Sequence, residues 1–255
     1  MSNQEKGFLS FLNRIAGKPR KPKLVSAVIL AGGNSTRMGG DVSKQWLTLD
    51  GIPVIARTLL TFEKCELISE IVLVAKADEL ERYKTLKEQY AFSKLTAIVA
   101  GGEDRSASAK NGFFAISDKA TFVAIHDGAR CLVTTDEIER VCRAAFTSDA
   151  AIAAAPVTDT VKIAAGNRFV EKTVDRSTVW MAQTPQVFGT TLYHAAVAIA
   201  ERDKITVTDD SSLVEHIVHP VKIVECSPDN IKLTVPEDIS RAKAILERQS
   251  KENAL

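Results

Sequence analysis

From Val25 onward, short apolar runs alternate with stretches whose hydrophobic residues recur at helical spacing. Continuous apolar runs of strand length occur in VSAVILAGG, EIVLVAK, LTAIVAGG, TFVAIHDGAR and AAIAAAPV. Helices are predicted between them, in IPVIARTLLTFEKC, SASAKNGFFAI and TTDEIERVCRAAF. Strands that lack polar alternation and are separated by helices form parallel sheets covered on both faces. The pattern therefore predicts a three-layer α/β/α fold with a mainly parallel sheet.

This alternation is interrupted between about Thr158 and Val187. The segment AAGNRF carries a turn signal between two short alternating stretches, which predicts a β-hairpin. We expect a β-arm that protrudes from the domain at about 158–187 and completes a homodimer. Helical spacing resumes in TLYHAAVAIAERD and DDSSLVEHI, and a strand in VKIVECS precedes a final helix in PEDISRAKAILERQ.

Residues 1–23 form an N-terminal leader with a different pattern. Apolar residues at helical spacing are followed by basic ones, which is the reverse of a secretory signal peptide. The leader is either an amphipathic helix that contacts a membrane or a partner, or, as we prefer, a simple leader with a basic linker. One domain at 24–248 and a tail at 249–255 complete the chain.

Composition limits the classes of function. The chain has 255 residues, is 45% hydrophobic and carries a formal net charge of +1, which fits one domain with an appendage and argues against nucleic-acid binding. No apolar run approaches the roughly 20 residues of a membrane span, so we expect no stable membrane association. The scattered cysteines indicate reduced thiols and a cytoplasmic location. They are Cys65, Cys131, Cys142 and Cys226.

Three loops follow predicted strands and should line one crevice, because ligands of open α/β sheets bind beyond the carboxyl ends of the strands. They are AGGNSTRMGG, AGGEDRSAS and HDGAR. Backbone N–H groups of the first loop, with Arg37 and Lys44, suggest a phosphate chain as ligand. The loop matches neither the P-loop nor the G-x-G-x-x-G fingerprint, and a glycine turn with two solvated cations is the alternative.

The ordered set of motifs is more specific. LAGG-x(3)-RMG followed by SKQ resembles the signature of nucleotidyltransferases that join a sugar or polyol phosphate to a nucleotide. Together with HDGAR, APVTDTVK, TVDR, QTPQVF, TDDSS and DNIKLT-x-PED, it resembles the 2-C-methyl-D-erythritol 4-phosphate cytidylyltransferase family from about Val25 to Leu246. The resemblance implies a Rossmann-like nucleotidyltransferase fold, CTP and 2-C-methyl-D-erythritol 4-phosphate as substrates, and Mg²⁺ as cofactor. The reaction would transfer CMP and release pyrophosphate, in non-mevalonate isoprenoid biosynthesis.

The resemblance also implies roles for individual residues. The catalytic cations would be Arg37, Lys44 and Lys232. The positions that bind CTP would be Ala31, Gly32, Gly33, Gly102, Glu103, Ser108 and Asp127. The positions that bind the acceptor would be Arg130, Thr160, Arg176, Thr184 and Thr208. Asp127 would also be the candidate ligand of Mg²⁺.

The sequence departs from the family pattern at Glu103, where many members carry Asp, and at Cys131, where Pro is usual. His126 is read as structural, because the acceptor phosphate is already ionised and needs no base. On its own, Ser108 could simply cap the next helix. Two rival functions remain: a ribitol 5-phosphate cytidylyltransferase, and a non-catalytic binding protein on the same scaffold. TVDRSTVWMAQTPQVF favours the erythritol branch, and the three loop cations favour catalysis.

Overall fold

A computed structural model describes residues 22–33 and 43–252. In chain order the strands are β1 (Val25–Leu30), β2 (Thr48–Leu49), β3 (Ile52–Pro53), β4 (Ile68–Ala75), β5 (Leu95–Ala100), β6 (Phe122–Asp127), β7 (Ala150–Pro156), β8 (Lys162–Ala164), β9 (Val170–Thr173), β10 (Trp180–Gly189) and β11 (Lys222–Glu225). The helices are α1 (Val54–Lys64), α2 (Leu80–Tyr90), α3 (Arg105–Phe113), α4 (Thr135–Ser148), α5 (Thr190–Asp203), α6 (Ser211–His216) and α7 (Glu237–Glu252). Short 3₁₀ turns lie at Lys44–Trp46, Ala77–Glu79 and Arg176–Thr178.

A seven-stranded sheet in the order β11-β7-β10-β6-β1-β4-β5 forms the centre of the fold. Strand β10 runs antiparallel to β6 and β7, and the other neighbouring strands pair in parallel. The parallel strands therefore present their carboxyl ends at one edge, where a ligand site is expected. The predicted mainly parallel sheet is confirmed.

Two apolar cores cover the two faces of this sheet. On one face, α1, α2 and α4 pack against inward side chains such as Ile29 and Leu73. On the other face, α3, α5 and α6 pack against Val28 and Val74, the adjacent residues on the same strands. Because successive side chains of a strand point to opposite faces, a continuous apolar strand supplies both cores at once. The three layers predicted from the sequence are thus present.

The structure differs from the sequence predictions in two elements. Helix α2 was not predicted, because only Tyr83 and Leu86 of its side chains are buried and its apolar stripe is weak. The exposed two-stranded sheet of β8 and β9 covers only part of the span 158–187, and from Trp180 onward the chain belongs to the central sheet. The buried run from Gln183 to Gly189 is what draws β10 into that sheet.

At its C-terminal end, the structure runs past the predicted boundary of the domain. Helix α7 continues to Glu252, so a boundary at residue 248 falls inside a helix. Of the leader, only Pro22 and Lys23 lie within the described residues. None of the helices in the described ranges is long and apolar enough to cross a membrane.

Candidate active site

A cavity of about 500 Å³ lies at the carboxyl edge of the sheet. The segments that follow β1, β4, β5 and β6 contribute to its wall, together with the turn at Lys44–Trp46 and the loop before α7. Most of the residues predicted to hold the nucleotide meet here. They are Gly32, Gly33, Lys44, Gly102, Glu103, Ser108, Asp127 and Lys232.

The loop between β5 and α3 is held tightly against the helix that follows it. The Asp104 side chain accepts a hydrogen bond from the Ala107 N–H at 2.7 Å and so caps α3. The Gly102 N–H donates to the Ser108 hydroxyl at 3.0 Å. A Cβ on Gly102 would lie 2.4 Å from the Ala107 Cβ, so a side chain there would force the loop away. Ser108 is therefore not the helix cap; it closes the loop.

Asp127, at the end of β6, is surrounded by cations. Its Oδ2 lies 2.9 Å from the Lys232 Nζ and 3.7 Å from the Arg130 Nε, and its Oδ1 lies 3.2 Å from the Arg105 Nε. Burial opposes the charge of this carboxyl, but the three cations outweigh burial and hold its pKa well below the ordinary range. Asp127 is therefore a fixed negative charge beneath the cavity.

His126 and Thr184 support Asp127 from below. The Asp127 N–H donates to the Thr184 hydroxyl at 3.0 Å, and that hydroxyl lies 3.1 Å from the His126 Nδ1. The His126 Nε2 lies 3.2 Å from the Arg130 carbonyl, which can only accept, so Nε2 carries the proton and Nδ1 accepts from Thr184. Burial lowers the pKa of His126 to about 3, so the ring is neutral. These contacts agree with the structural role predicted for His126.

Arg130 links Asp127 to the loop before α7. Its Nη1 donates to the Asn230 carbonyl at 2.7 Å, and the Asn230 amide donates to the Thr184 carbonyl at 2.9 Å. The neighbouring Cys131 is buried against Leu49 and other members of a small apolar cluster beneath α7. Packing thus anchors the chain at the position where Pro is usual.

Other predicted residues do not line this cavity. Ala31 is buried, and its N–H donates to the Val74 carbonyl at 2.7 Å, which leaves only its carbonyl for a ligand. Thr160 and Arg176 lie exposed at the base of the hairpin, and Thr208 is exposed before α6. Arg37 lies outside the described residues.

Comparison with known proteins agrees with this geometry. A family model described as 2-C-methyl-D-erythritol 4-phosphate cytidylyltransferase matches residues 25–248. The chain belongs to this cytidylyltransferase family. Curated relatives of that name include the protein from Alkaliphilus oremlandii, 43% identical over 87% of this chain and 94% of the relative, and that from Geobacillus kaustophilus, 44% identical over 86% and 96%.

Solved structures of cytidylyltransferases show the same fold. The 4-diphosphocytidyl-2C-methyl-D-erythritol synthase of Anaerococcus prevotii superposes with a TM-score of 0.79 at 32% identity, over 88% of this chain and 96% of that one. The 2-C-methyl-D-erythritol 4-phosphate cytidylyltransferase of Thermus thermophilus superposes with a TM-score of 0.71 at 30% identity, over 87% and 98%. The predicted family and fold class are confirmed.

Two polar residues of the site, Arg105 and Asp210, were not predicted from the sequence. Arg105 bridges Asp127 and Asp210, although the three residues are far apart along the chain. Arg105 lies in AGGEDRSAS, one of the loops expected to line the crevice, and Asp210 lies in TDDSS, a segment that carried the resemblance. That location was the available signal, because residues of both segments were assigned to one site, but nothing in the sequence indicated that these two side chains pair.

The described part of the chain offers no ready-made metal cage: it contains no group of three or more His, Cys, Asp or Glu side chains that could hold a metal ion. Asp127 provides one carboxylate at the cavity, with cations against both of its oxygens. Mg²⁺ is commonly held by one or two carboxylates together with substrate phosphates. The residues present fit an ion that enters with a triphosphate.

Proposed function

We propose that this chain transfers CMP from CTP to 2-C-methyl-D-erythritol 4-phosphate, giving 4-diphosphocytidyl-2-C-methyl-D-erythritol and pyrophosphate, in the non-mevalonate isoprenoid pathway. One observation carries the proposal. Within a domain that matches the cytidylyltransferase family over residues 25–248, Lys44, Asp127 and Lys232 meet at one cavity although they come from distant segments.

The reaction needs positioning and charge stabilisation more than proton transfer. A phosphate oxygen of the acceptor attacks the α-phosphorus of CTP in line; the new P–O bond forms as the bond to the β-phosphate oxygen breaks, and pyrophosphate leaves. Negative charge builds on the non-bridging oxygens, where fixed cations are most effective. Lys44 and Lys232 line the cavity and are the proposed donors, with Arg37 as a third. The acceptor phosphate is already ionised, so no general base is assigned.

We assign recognition of cytosine to the loop between β5 and α3. The Gly102 N–H donates to Ser108, so the Gly102 carbonyl and the Glu103 N–H are the acceptor and the donor that this loop would present to a base edge. The hydrogen bond between Gly102 and Ser108 fixes these groups in place. Ala31, Gly32 and Gly33 are the proposed contacts on the other wall of the cavity.

We propose Mg²⁺ as cofactor, held by the triphosphate of CTP with Asp127 as its candidate ligand. When bound, such an ion would supply positive charge to the phosphates of CTP and to the leaving pyrophosphate. Lys232 and Arg130 pair with Asp127 in the ligand-free chain. In the proposed complex, Lys232 would bind the α-phosphate of CTP and Arg130 would bind the acceptor.

We propose a cytoplasmic homodimer in which the arm of one subunit completes the acceptor site of the other. Thr160 and Arg176 lie exposed on the arm and do not line the cavity of their own chain. The arm also exposes apolar side chains, including Phe169 at 72% and Val170 at 62%, as an interface would. Arg130, Thr184 and Thr208 complete the proposed acceptor contacts, and an Arg fork suits a phosphate.

Pyrophosphate release from the purified protein tests the proposal. CTP and Mg²⁺ are supplied with methylerythritol phosphate or with ribitol 5-phosphate, and reactions without an acceptor or with ATP serve as controls. We expect pyrophosphate to be released only in the reaction that contains both CTP and methylerythritol phosphate, and in none of the others. Release with ribitol 5-phosphate alone would keep the mechanism and change the substrate. If folded protein releases no pyrophosphate with either acceptor, the result would favour a non-catalytic binding protein.

A further inference from the structure

One arginine at the rim of the cavity joins two carboxylates. Arg105, the first residue of α3, donates from Nε to the Asp127 Oδ1 at 3.2 Å and from Nη1 to the Asp210 Oδ2 at 2.7 Å. Its guanidinium therefore connects the start of α3 with the end of β6 and with the loop before α6. A planar fork with several fixed donors suits such a bridge better than a lysine ammonium does.

The Asp210 end of this bridge is anchored in the body of the fold. Asp210 is 1% exposed, and its Oδ1 accepts a hydrogen bond from the Tyr193 hydroxyl at 2.7 Å. The Gln186 Oε1 accepts from the backbone N–H groups of Asp210 and Ser211 at 3.0 and 2.9 Å. This carboxylate cannot move without breaking buried hydrogen bonds, so Arg105 is fixed at that end.

The Asp127 end faces the substrates. Its other two cationic partners, Lys232 and Arg130, are those that the proposed function directs to the phosphates of CTP and to the acceptor. As they turn to these ligands, Asp127 loses attraction on Oδ2 just when a polyanion enters the cavity. Arg105 remains, because its second carboxylate partner lies away from the cavity in the protein interior.

We propose that Arg105 is a positioning residue for cytidylyl transfer: anchored by Asp210, it holds the Asp127 carboxylate in place while Lys232 and Arg130 engage the substrates. This inference rests on the proposed function. Because Arg105 also begins the helix that follows the cytosine loop, the same contact sets the distance between that loop and the Asp127 carboxylate. A small misplacement of reacting groups is enough to slow a reaction that depends on alignment.

A double-mutant cycle between Arg105 and Asp127 tests the proposal through steady-state kinetics. Arg105→Gln is expected to lower kcat about 100-fold while the KM for CTP changes by less than about fivefold. In an Asp127→Asn background the same change should cost less than about threefold, because the negative charge that Arg105 positions is already removed. Arg143→Gln is the matched control, since Arg143 pairs with Glu139 at 3.0 Å on the exposed face of α4.

A second variant separates positioning from stability. Arg105→Gln leaves the buried Asp210 charge unpaired, so the unfolding temperature of this variant is expected to fall. Adding Asp210→Asn removes that charge and should restore the unfolding temperature but not kcat. Recovery of kcat in this double variant, or full additivity of the Arg105 and Asp127 changes, would overturn the positioning role. If the wild-type protein is inactive, both the proposed function and this inference are overturned. If the wild type is active and Arg105→Gln is equally active, only this inference is overturned.

Discussion

Lys232 has two partners at different stages of the proposed reaction. In the ligand-free chain its Nζ lies 2.9 Å from the Asp127 Oδ2, and in the proposed complex it turns to the α-phosphate. Lys232→Gln should therefore lower kcat about 100-fold, the usual cost of losing one donor to developing charge. Steady-state kinetics measure the effect. The control is Lys222→Gln on β11, an exposed lysine outside the cavity. Equal kcat in both variants would remove Lys232 from the mechanism.

His126 gives the fold a dependence on pH. Its pKa is lowered from 6.5 to about 3 by burial, so as the pH falls the unfolded chain takes up a proton before the folded chain does. The stability that His126 contributes is complete above about pH 6.5 and is lost toward pH 3; between pH 7 and pH 5 the loss is about 2 kcal/mol. Urea unfolding at the two pH values measures the loss.

Removing the imidazole provides the control for this pH dependence. His126→Gln should be less stable than the wild type at pH 7 but lose less further stability on going to pH 5. His194→Gln controls for the removal of an imidazole, since His194 lies exposed on α5. A wild-type slope that survives in His126→Gln would assign the dependence to other groups.

Among individual residues, the sequence predicted those that belong to a recognisable motif. It missed those whose role depends on contacts between distant parts of the chain. Lys44, Asp127 and Lys232 stand within recognised segments, and they meet at the cavity. Arg105 and Asp210 also stand in segments that the sequence singled out, but their pairing depends on the fold and has no signal in the sequence. The distinction between Asp104 as cap and Ser108 as loop closure likewise depends on hydrogen-bond geometry.

At the scale of elements, the arm carries the most specific prediction. Arg176→Ala should raise the KM for methylerythritol phosphate about tenfold or more and leave the KM for CTP nearly unchanged, because an Arg fork on the acceptor phosphate is lost. Lys172→Ala, on the exposed strand β9 of the same arm, is the matched control. Equal effects on both KM values would remove the acceptor role.

Mixed dimers test whether the arm acts on the partner subunit. In a mixture of Arg176→Ala and Lys232→Gln chains, one site of each heterodimer combines an intact Lys232 with an intact arm. If the arm serves the other subunit, random pairing should restore about a quarter of the wild-type activity. The assay uses an acceptor concentration well below the raised KM, where Arg176→Ala homodimers are slow. If the arm acts within its own chain, every site stays defective and the mixture is no more active than the mean of the two parent variants.

Helices and strands were predictable where their burial leaves a clear hydrophobic pattern, either on one face or along the whole element. Continuous apolar strands such as β1 and β7 are recognised without alignment, because both faces are covered. Helix α2 escaped prediction, since its polar surface leaves little periodic signal. Strand β10 was assigned to the arm, because a hairpin signal precedes it and nothing local distinguishes a strand of the arm from a strand of the sheet.

At the scale of the whole molecule, the order of the strands creates the site. Strands β1, β4, β5 and β6 are neighbours in the sheet and end at the same edge, so loops from distant parts of the sequence form one cavity. From the general rule for open α/β sheets, the sequence predicted that the loops after β1, β5 and β6 would meet; the part played by the loop after β4 was not predicted. It could not predict the antiparallel insertion of β10, which places Thr184 and Gln186 beneath the site.

The identity of the product tests the central claim most directly. Pyrophosphate is also released if CTP is merely hydrolysed, so the diphosphate linkage itself must be observed. We would incubate the protein with CTP, Mg²⁺ and methylerythritol phosphate and record the phosphorus NMR spectrum of the products. The account predicts two coupled phosphorus resonances from one diphosphate bridge, together with pyrophosphate. A single resonance of free CMP, with the acceptor phosphate unchanged, would contradict it.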